Sequence, residues 1–428
     1  MEEKQCIFCF FSDKYQRKIM KRSQLQEEKF EDILDRYKKI FIMELNVLLK
    51  TNFLCEKHKE ILNATEIIAS IKSISNLLSE LSTFFEGIKN TYKLWISGET
   101  YSAIQKFEEL LKDNKILEED AFNITENIFF RGRDSKNRIL NKYEMFHIPY
   151  DKRYLVRNQR FSLSGFPLLY LNSSIEGVIS ELNIEKKYEK CAFSSFHFNQ
   201  EAKIYSLDNP FRIFFEKNSK IIKEPSFSQE SLKKIILKLI LASVCLFKKR
   251  VSHKNQEDNG INIFYEEYII PQALTQVLKK NKYDGILYPS TRINETEDNG
   301  LLSMDNFNLV YFPKYDDKRH YDSDLFLNLD ISTPITIVEL EDNDNISIDE
   351  FNSLIKIFGE ILSKNKESYK NEKFFHMYTI YTNYEHKEIP IKEKEYKIEK
   401  ILVYNFLLKN LLDIQEKIEK ENIQDDKW

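Results

Sequence analysis

Residues 160–182 read RFSLSGFPLLYLNSSIEGVISEL. Arg160 precedes a turn around Gly165 and Pro167, and the apolar run 168–171 that follows has the length of a strand. Ser173 and Ser174 then offer a helix start, which puts Glu181 on the second or third turn of a helix leaving that strand. Further short runs at 202–207, 285–288 and 308–312 read as strands, and 231–247 and 271–280 as helices, the latter with proline suitably in its first turn. Two polar stretches, 253–262 and 291–300, read as loops. Mixed short strands and scattered helices predict an α+β domain rather than regular βαβ repetition.

Composition agrees with several such parts. The chain has 428 residues, 42% hydrophobic and 31% charged, which predicts a soluble globular protein of two or three domains. Its net charge of −4 provides no general attraction to nucleic acid. The longest apolar run, 235–247, is interrupted by Lys238 and falls short of the roughly 20 residues of a spanning helix, so no membrane partner is expected. The start MEEKQC lacks the apolar core of a signal peptide, and five cysteines do not make a disulfide scaffold. A cytoplasmic setting is expected.

Residues 1–112 read as a helical bundle. Phe30, Ile33, Leu34, Tyr37, Ile40 and Phe41 make one apolar stripe within 25–50. A second runs from Ile67 to Ile88 within 64–92, and a third helix covers 101–111. From 316 to 428 a further α/β extension is expected. It contains a capping-box spacing at Ser347 and Glu350 opening a helix through 361, a strand at 374–381, a helix at 401–412 and a charged tail from 415.

Cys6-Ile7-Phe8-Cys9 and Cys55-Glu56-Lys57-His58 share a two-residue spacing that turns both ligands of a pair toward one point. Cys6, Cys9, Cys55 and His58 form a Cys3His set, suited to closed, structural zinc. Four protein ligands leave no open position, so no catalysis is assigned to it.

Three separate stretches carry the chemistry. In Phe130-Arg131-Gly132-Arg133 the arginines alternate, so in a strand both point to one side while Gly132 leaves the other open for close packing. Glu181 lies in the second stretch, and Ser290 ends the third, Tyr283-Asp284-Gly285-Ile286-Leu287-Tyr288-Pro289-Ser290. Taken singly, Glu181 would face solvent and Ser290 would be a turn former. In this order, with the flanks Met145-Phe146-His147-Ile148-Pro149 and Arg160-Phe161-Ser162, they resemble the RES family, named for its Arg, Glu and Ser, over roughly residues 125–315, within a domain expected to span 113–315.

The resemblance implies an ADP-ribosyltransferase-like fold and attack on NAD as substrate. Arg131, with Arg133 as second choice, takes the family arginine's place beside Glu181 and Ser290. Arg133, Arg160 and Tyr170 become substrate-binding residues. Departure of nicotinamide leaves an oxocarbenium-like ribose, which a carboxylate stabilises while a guanidinium holds phosphate or ribose oxygens. The acceptor is water, inorganic phosphate or, in an ADP-ribosyltransferase, a protein side chain. Members of the family often act as toxins held off by an antitoxin or set off by a trigger protein during phage infection. The N- and C-terminal additions here suit built-in regulation, so a separate antitoxin is not implied. A non-enzymatic alternative is a zinc-stapled binding module without turnover. Nothing among nine glycines makes a Gly-x-Gly-x-x-Gly or Walker-type loop, and His147 reads as structural rather than as a base.

Overall fold

The computed structural model describes residues 5–24, 28–118, 122–136, 138–182, 190–214, 228–250, 264–291, 306–336, 399, 401–403 and 406. The loop expected at 253–262 and nearly all of that at 291–300 lie outside these residues. So do the capping box at Ser347 and Glu350, the strand at 374–381 and the tail. Contacts gather the chain into two compact units that do not follow its order. One takes Met1–Asp120, Arg157–Ser164 and Tyr205–Tyr283, the other Ala121–Val156, Gly165–Ile204 and Asp284–Trp428. The stretch 113–315 is thus shared between both.

The first unit opens with α1 (Ile7–Phe11) and α2 (Asp13–Ser23), joined at Ser12, whose hydroxyl accepts the Tyr15 N–H and caps α2. The predicted stripe of α3 (Phe30–Leu49) is buried at Phe30, Ile33, Leu34, Tyr37 and Phe41. The stripe expected through 64–92 is two helices, α4 (Ala64–Lys72) and α5 (Leu77–Ile96). The break falls at Asn76, whose φ of 56° is left-handed, a conformation asparagine tolerates. Ile74 stays buried across it, so apolar spacing alone does not register the interruption. α6 (Thr100–Asp113) closes this series.

In the second unit β1 (Ile128–Asp134), α7 (Lys142–Met145), β2 (Leu169–Asn172), α8 (Ile175–Leu182) and β3 (Cys191–Phe198) follow, and β4 (Ile204–Ser206) spans the boundary, which falls after Ile204. The chain then supplies α9 (Gln229–Cys245) and α10 (Ile269–Lys280) to the first unit. No described helix is long and apolar enough to cross a membrane. The second unit resumes with β5 (Gly285–Pro289), β6 (Phe307–Tyr311), α11 (Ser323–Leu327), β7 (Leu329–Ile331) and β8 (Ile335–Thr336). The described strands form a sheet in the order β4-β5-β6-β2-β1-β3-β7, with β8 also on β3. Pairing is antiparallel at β1–β2, β1–β3, β2–β6 and β5–β6, so the α+β expectation holds. β3 was not foreseen, because its Ser194, Ser195 and His197 hide a strand that is buried along its whole length.

Alternation along the strands sorts side chains between two faces. Phe129, Leu169, Leu171, Phe196, Leu287 and Leu309 face a core shared with Met145 and Leu325. Gly132, Tyr170, Asn172 and Asn308 take the opposite face, where α8 lies. A Cβ on Gly132 would come within 2.7 Å of Val178 Cγ1 and 3.1 Å of Leu182 Cδ1. The open side of Gly132 is therefore the seat of α8.

His147 is buried on the core side, and both of its ring nitrogens are engaged. Nδ1 lies 2.8 Å from the Ile148 carbonyl and therefore donates, while Nε2 accepts the Asp322 N–H at 3.1 Å. Asp322 in turn caps α11. Burial pushes the imidazole down to about 4, so the ring is a neutral structural post. As pH falls below about 6.5, the unfolded chain gains this proton before the folded one does. Stability should drop by about 3 kcal/mol between pH 6.5 and 4. His147→Gln, which retains an acceptor, should flatten that part of the denaturation–pH curve.

Candidate active site and metal centre

Glu181 owes its place to the β2–α8 junction. The Asn172 Oδ1 accepts the Ser174 N–H at 2.8 Å, and Ser174 Oγ accepts the Gly177 N–H at 3.0 Å. The predicted serine start of the helix is thus a working cap. Two turns on, Glu181 Oε1 accepts from Ser290 Oγ at 2.9 Å and from Asn308 Nδ2 at 2.8 Å. Sequence reasoning put Glu181 and Ser290 in one site, and the fold brings them into contact from positions 109 residues apart.

Asn308 and Asn172 were not foreseen. They are direct partners across β6 and β2, and Asn172 Nδ2 donates to Asn308 Oδ1 at 2.9 Å. Because the Ser174 N–H claims the Asn172 oxygen, its NH2 faces Asn308, which must then turn its own NH2 to Glu181. The orientation of the carboxylate is inherited from the helix cap. The available signal was an asparagine inside each apolar strand, since buried amides require partners.

Gly177 sits directly over this relay. A Cβ there would lie 2.0 Å from Asn172 Oδ1 and 2.5 Å from Nδ2, so the position admits no side chain unless Asn172 moves. Gly177→Ala should cost about 1–3 kcal/mol through overpacking, read as a lower midpoint in a thermal melt.

The arginines lie elsewhere. Arg131 pairs with Ser194 across β1 and β3 and belongs to the face of Phe129, away from Glu181; its Nη1 donates to the Tyr170 carbonyl at 3.1 Å. The Arg133 guanidinium donates to the Glu144 carbonyl. Burial first, then the charge of Arg133, lowers Arg131 to about 9. Among the described residues neither arginine forms an ion pair with a carboxylate. The sequence reading put both arginines on one side, which the register supports, but that side is opposite α8. The fold therefore unites Glu181 and Ser290, sets Tyr170 on their face, and does not bring Arg131 or Arg133 to them. Arg160 belongs to the first unit, where its Nη1 donates to the Cys245 and Phe247 carbonyls at 2.8 and 2.9 Å.

The cysteine pairs meet as their spacing predicts. Cys6 and Cys55 each precede a short helical turn, α1 and Glu56–His58, so the second ligand of each pair comes back to the first. Cys6, Cys9, Cys55 and His58 could hold a metal ion, their ligand atoms all lying within 4.8 Å of one another. The sulfur–sulfur separations are 3.5–3.8 Å and the sulfur–Nδ1 separations 3.2–3.4 Å. A tetrahedron with metal–sulfur bonds of about 2.3 Å has sulfur–sulfur edges of about 3.8 Å, so the donor set and its dimensions fit zinc. Below it α1 is anchored by Phe11, stacked on Phe211 at 4.0 Å, and by Phe10 against Phe41 at 4.9 Å.

Similarity to known proteins is narrow. The chain is 32% identical over 235 residues to "Putative toxin YopC" of Bacillus subtilis (strain 168), which covers 51% of each chain. It thus spans about half the length of the curated relative it matches. No family model and no solved structure matches.

Proposed function

We propose that this chain is a toxin that consumes NAD, breaking the bond between nicotinamide and ribose, with Glu181 as the reacting carboxylate and Ser290 as the group that holds it. The observation that carries this reading is the convergence of Ser290 and Asn308 on one oxygen of Glu181, at the positions the RES resemblance assigns. Both contacts donate to the oxygen and so complement a carboxylate anion, the group needed beside an oxocarbenium-like ribose. As the C1′–N bond breaks, its electron pair leaves with neutral nicotinamide. Water or phosphate then attacks C1′ and gives up a proton. Tyr170, on the same face, supplies an aromatic surface for ribose or the cationic ring. The similarity to a protein named as a toxin supports the biological role.

Zinc at Cys6, Cys9, Cys55 and His58 would be structural in this scheme. Arg131 and Arg133 keep the phosphate- or ribose-binding role only if substrate reaches the other face of the sheet. That separation favours a second reading, a zinc-stapled binding protein without turnover. Incubating the full chain with NAD, with and without phosphate, and following free nicotinamide by chromatography separates the two. Release is the expected result, with ADP-ribose or its phosphorylated form naming the acceptor. NAD left intact by folded, metal-loaded protein would reject the enzyme.

A further inference from the structure

The helix that carries Glu181 is eight residues long, too short to hold its own position, so its caps and packing must fix it. Ser174 serves two of the first-turn donors, accepting the Gly177 N–H on Oγ and the Val178 N–H on its carbonyl. The Ile175 N–H is served from far away. It donates to Glu399 Oε2 at 2.9 Å, across 224 residues of sequence.

Glu399 is 1% exposed, and the described residues after it, 401–403 and 406, are helical. Leu402, Val403 and Phe406 are buried, and with Glu399 they follow the i, i+3, i+4 and i+7 spacing of residues that share a helix face. The Phe406 ring lies 4.8 Å from that of His197, whose place in β3 puts it on the sheet face that α8 covers. A carboxylate at the N-terminus of a helix satisfies an orphan N–H and complements the helix dipole.

We propose that Glu399, with Leu402, Val403 and Phe406 behind it, clasps α8, and that Glu399 is a positioning residue acting on Glu181 through that helix. The catalytic part rests on the reading of Glu181 given above. Leverage explains why the clasp matters. Glu181 lies six residues beyond Ile175, about 9 Å along the axis, so a tilt of about 10° moves it by roughly 1.5 Å. Displacements of that size cost about a hundredfold in rate when they misplace a reacting group.

The test compares the full-length chain with Glu399→Ala, Glu399→Asp and Glu399→Gln. It reads kcat and KM for nicotinamide release together with amide hydrogen exchange across residues 175–182. Alanine lacks the acceptor and aspartate falls one methylene short. Both should lower kcat at least tenfold with KM within twofold, and speed exchange in α8 above that in the rest of the sheet. Glutamine keeps an oxygen for Ile175 and should restore most of kcat. Wild-type α8 exchange in both the alanine and aspartate variants would overturn the clasp. So would kcat loss in glutamine equal to that in alanine, since charge rather than the contact to Ile175 would then matter. If alanine raises exchange everywhere, aspartate decides. If wild-type protein releases no nicotinamide, faster α8 exchange in the variants keeps the clasp while the NAD reading fails.

Discussion

Glu181→Gln is expected to reduce nicotinamide release about a thousandfold while leaving the thermal midpoint within a degree or two of wild type. The structure separates the two effects. Ser290 and Asn308 both donate to Oε1, and a glutamine can present its own oxygen at that point, so the half-buried network stays satisfied. What disappears is the negative charge, worth about 10²–10³ in rate where such a group is aimed at developing charge. Glu181→Ala gives the complementary result. It removes the acceptor that the Asn308 amide and Ser290 hydroxyl share, and should cost about 1 kcal/mol of stability as well as activity. A glutamine variant as active as wild type would exclude Glu181 from the chemistry.

The second large effect is expected at the metal centre. Stripping metal with a chelator, or replacing Cys55 with alanine, should release α1 and the turn at Glu56–His58 from each other. In isolated zinc fingers the metal is worth about 10–16 kcal/mol of folding free energy. Here the helices keep their own core, with Phe10 packed on Phe41 and Phe11 on Phe211, so only part of that is at stake. A loss of several kcal/mol would lower the melting midpoint by on the order of 10 °C. One zinc per chain by elemental analysis, lost in Cys55→Ala, is the accompanying result. A chain that holds no metal and melts identically with and without chelator would refute the site.

Much of this was readable in one dimension because it depends on local rules. A two-residue gap places two ligands on one turn, whatever surrounds them, so Cys6 with Cys9 and Cys55 with His58 were evident. Alternation put Arg131 and Arg133 on a common side and left Gly132 open, and the paired serines announced the start of α8. The strand that holds Tyr170 and the strand that precedes Ser290 were equally plain, being short apolar runs bounded by turns.

Which side faces what is a different kind of fact. Period-two geometry groups side chains but does not name the face that receives a helix. Only the assembled sheet assigned Glu181 to one face and Arg131 to the other. The interleaving of the two units was hidden for a similar reason, since contacts between distant segments leave no local periodicity. Asn308 and Asn172 look like blemishes in apolar strands until β6 and β2 lie side by side and Asn172 is seen to direct Asn308 at Glu181. The Glu399 contact, made across 224 residues, is the extreme case. A short helix advertises its own serine cap in its sequence, but an acceptor supplied by another part of the chain becomes visible only when folding has brought the two together.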